Sequence, residues 1–502
     1  WSNTLSYVTT FNNIHHLDFL AGYEIDDTYN DYLSGEAYNF TTPDKHAISN
    51  GMKTVSVGGS DSRYRLVSYL SRLNYDYKNK YYLGASFRVD GSSRLHRDNR
   101  WGTFWSVSGA WRTIEEEFMQ PVKDWLTDLR IRASYGVNGT LPSDYFGYMG
   151  LSSISGGYLE QPGIQMSQIA NPNLKWETNY NMNIGLDFGF WDRLNFTIEY
   201  YTRTTKNLLM DCPVSMTTGF SSYLMNIGEV KNKGIELTIN STNIKIKDFN
   251  WNTTFNLGHN SNKVVKLDGE QTQIVSGTQI HKVGSSYRTF YVQEFAGINP
   301  ETGNPLFYTN ELDENGNYIK EITENSKNAQ FIPYKHAEPT VNGGISNSLR
   351  YKWLDLNFLF SYQFGGYSYD TWAQKTEHGG YDSYANIPTY YRDSWKKPGD
   401  QTNIEVYMPG KSSSVSMHKI TSSRRIHSTD YFRLKNITFG ITLPKEWTNK
   451  INIGNVRFYA SASNLWTWAA YDNYDPEAVS AGSATQTTPP LKTVTFGLNI
   501  NF

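Results

Sequence analysis

The chain has 502 residues, with 46 Lys+Arg against 48 Asp+Glu and a formal net charge of -2. That balance excludes a polyanion-driven nucleic-acid binder, which carries a clear basic excess. Hydrophobic residues make up 38% and aromatics 15%. No run of about 18 apolar residues offers a transmembrane helix, and the single cysteine, Cys212, excludes an internal disulfide framework and a cysteine-based zinc cluster.

In chain order, period-two alternation predicts strands over roughly 3–12, 14–30, 62–78, 80–90, 101–113 and 127–137. It continues over 174–190, 192–206, 227–244, 248–265, 336–352, 353–370, 428–444, 453–470 and 490–502. The clearest case is 180–190, where Tyr180, Met182, Ile184, Leu186, Phe188 and Phe190 interleave with Asn181, Asn183, Gly185, Asp187 and Gly189. Successive strand side chains point to opposite faces, so this ribbon has one greasy and one wet side. Leu194, Phe196, Ile198 and Tyr200 repeat the pattern against Asn195, Thr197 and Glu199. Helical periodicity is nearly confined to 121–129, a turn or two.

The connections sort into two classes. Short ones fall at 13, 79, 114–126, 191, 245–247, 352/353 and 445–452. Long ones fall at 31–61, 91–100, 138–173, 207–226, 266–335, 371–427 and 471–489. The classes mostly alternate, as they do when every strand reverses the last and one end carries tight turns. Strands of ten or more residues exceed the usual 5–6 or so of a soluble sandwich. They match the roughly 9–11 residues of a tilted membrane strand. Short periplasmic turns, long extracellular loops and aromatic girdles are the pattern of an outer-membrane barrel. The 37 tyrosines suit its interfaces, with ring in lipid and hydroxyl in water. The C-terminal alternation ending on Phe502 has the form of a barrel-assembly signal. The expected fold is therefore all-β, a transmembrane antiparallel β-barrel of about 14–15 strands. Because Trp1-Ser2-Asn3 leads straight into a strand with no leader peptide, the chain is expected to have lost its N-terminus or to be part of something larger.

Several segments resemble the SusC/RagA type of TonB-dependent transporter. They are Asp90-Gly91-Ser92-Ser93-Arg94, Asn99-Arg100-Trp101-Gly102-Thr103-Phe104, Ser106 to Arg112 with Glu117-Phe118, and Asn171 to Glu177. Gly228 to Glu236, Asp430 to Pro444, Ser463-Asn464-Leu465-Trp466 and Asp475-Pro476-Glu477 extend the match. The resemblance implies a barrel of about 22 strands closed by a plug, of which this chain supplies the C-terminal portion without the plug. It implies as partners TonB, engaged through the missing N-terminal part, the remaining barrel strands and plug, and a SusD-like surface lipoprotein. It also implies membrane lipid around the wall, glycan or peptide cargo, and a home in Bacteroidota outer membranes.

Catalysis has little support. Glu115-Glu116-Glu117 reads as a solvated turn. His15-His16 puts its rings on opposite strand faces and reads as a hairpin corner. Asp313 to Asn317 has oxygen ligands, but its Gly is fourth rather than sixth as in an EF-hand loop, so a turn is expected. No cofactor, metal or catalytic residue is assigned. Binding has more support: Trp372, Tyr381, Tyr384, Tyr390, Tyr391 and Trp395 crowd the 371–427 loop, where they serve cargo stacking or pack the loop itself. Asn183, Asp187, Asn195, Glu199 and Asp355 are expected to line the lumen.

The function expected is energy-coupled, TonB-dependent import of glycans or peptides, with no bond made or broken. A self-contained passive porin is the alternative. An outer-membrane lipase or protease lacks a nucleophile–base pair, and a soluble glycan-binding β-protein is disfavoured by strand length.

Overall fold

The computed structural model describes residues 1–40, 42, 44, 47–158, 161–267, 272–380, 386–409, 420–451, 453–485 and 487–501. Fifteen long strands dominate it: β1 (Ser2–Phe11), β2 (His15–Phe40), β3 (Gly51–Tyr77), β4 (Tyr81–Ser92), β5 (Trp101–Trp111), β6 (Leu126–Thr140), β7 (Glu177–Phe190) and β8 (Leu194–Lys206). They continue with β9 (Glu229–Lys245), β10 (Phe249–Lys266), β11 (Val341–Tyr351), β12 (Leu354–Phe364), β13 (Tyr431–Thr442), β14 (Asn455–Ala469) and β15 (Thr493–Asn501). All fifteen belong to one sheet whose strand order is the chain order. Phe502, on which the assembly-signal reading ends, lies outside the described residues.

The chain divides into two compact units. The first holds 1–112, 132–183 and 203–229; the second holds 113–131, 184–202 and 230–502. In the first, β1 to β5 form an antiparallel meander, with pairs from Phe11↔His15 and Tyr77↔Tyr81 to Tyr81↔Trp111. In the second, the pairs β10–β11, β11–β12, β12–β13, β13–β14 and β14–β15 are likewise antiparallel.

The tight turns follow from local backbone chemistry. Asn12-Asn13, Lys78-Asn79 and Trp191-Asp192 each place two successive residues at φ between 51° and 57°. Two positive φ values in a row match the right-handed twist of the flanking strands, and Asn and Asp tolerate them best. The link after β5 carries 3-10 turns at Thr113–Glu115 and Glu117–Val122, the first two of the acidic triplet sitting in and just after the first turn. The expected turn or two over 121–129 is thus shifted toward the N-terminus, and Leu126 already begins β6.

The stretch 31–61, expected as a long loop, is mostly ladder. Asp31 pairs with Asp61 and the register runs on to Phe40↔Gly51 with one irregularity at Glu36/Ala37. Ser34-Gly35 and Gly58-Gly59 read as turn chemistry, but the Tyr-rich and β-branched neighbours keep the pairing going. The other long connections carry their own small structure. The 138–173 stretch holds the hairpin Leu151–Tyr158/Gln161–Gln168, and 207–226 the hairpin Leu209–Pro213/Ser222–Asn226. The 266–335 stretch builds two small sheets, the first including Thr289–Gln293, the second Phe295–Ile298, Pro305–Tyr308 and Ile322–Thr323. Tyr367–Asp370, expected at the end of β12, is instead a separate strand beyond Gly365 (φ 85°), paired with Ile426–Ser428 and Ser483–Ala484.

Packed apolar clusters lie mainly in the connections. In the first unit Leu95, Leu174 and Trp176 gather around Phe104 of β5. In the second, Phe290, Val292, Tyr369 and Ile426 form one cluster, and Phe307, Ala329 and Ile420 another.

Candidate functional site

The wall strands invert the burial of a soluble protein. On β7 the polar Asn179 and Asp187 are 0% and 6% exposed, while Ile184 and Leu186 on the other face are 48% and 36% exposed. Asp187 accepts hydrogen bonds from Arg130 Nε at 2.9 Å and from the Thr197 hydroxyl at 2.8 Å. Asn179 Oδ1 accepts from Thr205 Oγ1 at 2.7 Å and from Arg203. Arg88 bridges Asp90, Ser68 and Glu24 on one face of the β2–β4 ladder, while Leu83 and Phe87 stand out from the other. Asp355 holds Arg457 Nη2 at 2.7 Å. Among the described residues, the apolar wall side chains named here do not meet one another in a dry core. They stay uncovered while the polar faces pair with themselves, as in a wall with lipid outside and water inside.

Aromatic rows mark both margins of that stripe in the first unit. One runs Trp1–Tyr23–Tyr69–Trp101, the other Tyr77–Tyr81–Trp111, with neighbouring centroids 5.1–6.4 Å apart. On β5 the rows are ten residues apart. At about 3.4 Å per residue and a tilt near 40°, that spans roughly 26 Å, the height of the apolar band of an outer-membrane barrel. Of the expected lumen residues, Asn183 joins His16, Asn74, Tyr82 and Arg132 around a cavity of about 390 Å³ in the first unit. His15 and His16 turn to separate partners, Tyr75 and Thr10.

The second unit carries a folded cluster of connections. Tyr391 is buried and its hydroxyl donates to Glu405 Oε1 at 2.7 Å. Glu405 also takes Arg424 Nη1 at 2.8 Å. Tyr390 donates to Glu377, which pairs with the fully buried Arg425. Asp370 caps the short helix Thr371–Thr376 through Ala373 N at 2.7 Å and accepts from the Tyr471 hydroxyl at 3.0 Å. Tyr471 stacks on His427, centroids 3.7 Å apart. Burial lifts the Tyr390 hydroxyl to about 12 and pushes Tyr391 higher still, with the Glu405 charge adding to it. Burial lowers His427 to about 4, so it is neutral near pH 7.

The loop aromatics therefore separate. Trp395 donates its indole N–H to Pro300 O at 2.7 Å and packs on Gly303. Tyr390 and Tyr391 bond to buried carboxylates. Trp372, 39% exposed, borders a cavity of about 700 Å³ shared with Trp468, Asn473 and Tyr474. Tyr381 and Tyr384 lie outside the described residues. Sequence reading passed over Glu377, Glu405, Arg424 and Arg425; the one signal was the Arg424-Arg425 pair in a connection otherwise rich in Ser and Tyr. Asp313 is occupied by the N–H groups of Asn315 and Asn317 in a turn, as expected. Among the described residues, no three His, Cys, Asp or Glu side chains gather as metal ligands.

Fold and wall define an integral outer-membrane β-barrel. Residues 1–318 match the family model for the TonB dependent receptor-like β-barrel, and the chain belongs to that family. It is 32% identical to TonB-dependent receptor P3 of Formosa agariphila, over all of this chain and 52% of that protein. It is 30% identical to TonB-dependent receptor SusC of Bacteroides thetaiotaomicron, over 94% and 47%. The structure of the RagAB peptide transporter superposes with a TM-score of 0.86 at 27% identity, covering all of this chain and 55% of that one. The chain thus spans about half the length of the relatives it matches, and these are receptors and transporters rather than enzymes.

Proposed function

We propose that this chain is the wall and loop portion of an importer that moves glycans or peptides across the outer membrane, driven through TonB. The observation that carries this reading is the inverted burial of β7, with Asp187 inside and Leu186 outside, in a chain of the TonB-dependent receptor family. The barrel acts as conduit and a plug outside this chain as gate. The polar wall, including the cavity beside His16 and Arg132, offers that plug a hydrated seat. The long connections at 138–173, 207–226, 266–335, 371–427 and 471–489, with the 31–61 hairpin, face the cell exterior. There they meet cargo and a SusD-like lipoprotein, and Trp372, partly exposed beside a cavity, is one loop aromatic placed to stack on cargo. The RagAB precedent, a peptide transporter by name, supports peptides as one cargo class.

The test is uptake by cells producing the complete protein. Labelled peptide digest and labelled mixed oligosaccharides are supplied with and without a protonophore. Energy-coupled import predicts uptake of at least one that the protonophore abolishes. Uptake that persists without proton-motive force indicates a passive porin and contradicts the proposal.

A further inference from the structure

Beside Trp395 the second unit holds a cavity of about 690 Å³ with an unusual lining. Its apolar surface comes from Ile387, Trp395, Val406 and Tyr407, and its charge from Arg392 and Lys396. Both cations are exposed, and neither side chain forms a salt bridge among the described residues, while Asp400 accepts the Lys396 backbone N–H at 3.0 Å. Two largely buried cations of the same connection are paired, Arg424 with Glu405 and Arg425 with Glu377. Two cations on the rim of one apolar hollow add their fields there, which singly scattered surface charges do not.

The hollow is built rather than incidental. Trp395 is fixed by its indole bond to Pro300 and by its own N–H to Ile404 O at 3.0 Å. Val406 N–H donates to Gly303 O at 2.9 Å. Gly303, at φ 71°, lies so close that an added Cβ would sit 2.5 Å from the Trp395 ring and 2.8 Å from Val406. The Tyr391–Glu405–Arg424 chain ties down the adjoining wall. A preorganised floor of this kind lowers the ordering cost of binding.

We infer that this cavity receives a peptide carboxylate lying next to an aliphatic or aromatic side chain, so that the importer favours acidic peptides. The inference rests on the import reading above. The lining favours peptide over sugar. It contains no Asn, Gln, Asp or Glu, the planar groups that pair with vicinal sugar hydroxyls, and offers only the Thr389 and Ser394 hydroxyls among small polar side chains. Arg392 supplies a planar fork suited to a carboxylate, and Lys396 a second charge.

The test measures binding to the complete detergent-purified protein by fluorescence anisotropy, at low and high salt. The probes are a labelled heptapeptide of alternating leucine and glutamate, its glutamine counterpart, and tetragalacturonate. The glutamate peptide should bind at least tenfold tighter than the glutamine peptide, with the difference shrinking in salt. The double variant Arg392→Gln/Lys396→Gln should erase that preference while still binding the glutamine peptide. Both residues are exposed, and unchanged heat-modifiable migration of the barrel certifies the fold. Equal binding of the two peptides, an unaltered preference in the double variant, or tighter binding of tetragalacturonate than of the glutamate peptide would each overturn the inference. Those outcomes leave protonophore-sensitive uptake untouched, so the failure of this site and the failure of the import reading are told apart.

Discussion

Arg130 and Asp187 meet at 2.9 Å on the polar side of the wall, while Leu186, one residue along, turns its side chain outward. Charge is solvated on one face and unsupported on the other. Ile184→Arg should therefore cost about 2–4 kcal/mol if it lies near the bilayer midplane. Asn183→Arg, on the polar face beside a cavity, should cost clearly less, because lumen-facing positions do not meet lipid. Urea unfolding of the complete protein in lipid vesicles checks both; equal costs would contradict the two-faced wall.

Arg433 ties the 471–478 connection to β13. Its Nη2 lies 2.5 Å from Asp475 Oδ2, a second nitrogen bonds Glu477, and Nε donates to Thr467 Oγ1 at 2.9 Å. The Arg433 side chain is almost wholly buried, so Arg433→Gln strands two carboxylates near Tyr431. A loss of about 3–5 kcal/mol is expected, the scale for breaking a buried pair from one side. Lys435 also reaches Glu477 and offsets part of it. Faster hydrogen exchange over 471–478, with β4 unchanged, is the predicted signature.

Gly303→Ala forces a side chain into a left-handed backbone position and against the Trp395 ring. Strain of about 1–3 kcal/mol is expected. Amides of 299–304 and 395–406 should lose exchange protection, while binding at sites away from this floor stays as it was.

His427 gives the loop cluster a pH dependence. Burial depresses its pKa to about 4, opposed by the Asp370 charge and reinforced by Arg425. An opened cluster returns the ring to about 6.5. Between those values the open state binds the extra proton, so the stability due to neutral His427 is complete above about pH 6.5. It falls away as pH drops toward 4, by up to roughly 3 kcal/mol. Exchange of amides in 426–428 and 471–474 should accelerate from pH 7 to pH 5 beyond the intrinsic chemical rate. His427→Gln should remove that excess.

The ladder was legible because lipid and water impose the same period on every spanning strand. Ile184, Leu186 and Leu83 declare the outer face as plainly as Asp187 and Arg88 declare the inner one. The paired arm beyond Asn30 was not, because backbone pairing out to Phe40↔Gly51 needs no apolar alternation and tolerates Gly58-Gly59. The loop aromatics were visible as a composition, but not by role. Whether Tyr391 meets cargo or Glu405 depends on a residue fourteen positions away, and nothing in local spacing brings Arg424 to the same carboxylate.

The most direct measurement is a nitroxide scan of β4. With Cys212 and any further cysteine of the complete protein replaced by Ser, single spin labels are placed at each residue from Leu83 to Val89 in bilayers. Collision with lipid-soluble oxygen and with a water-soluble nickel chelate is then recorded. Oxygen should dominate at 83, 85, 87 and 89, with the balance shifting to the chelate at 84, 86 and 88. Labels at Leu83 and Phe87 shielded from both reagents would mean that this stripe faces protein, and would contradict a membrane-spanning wall.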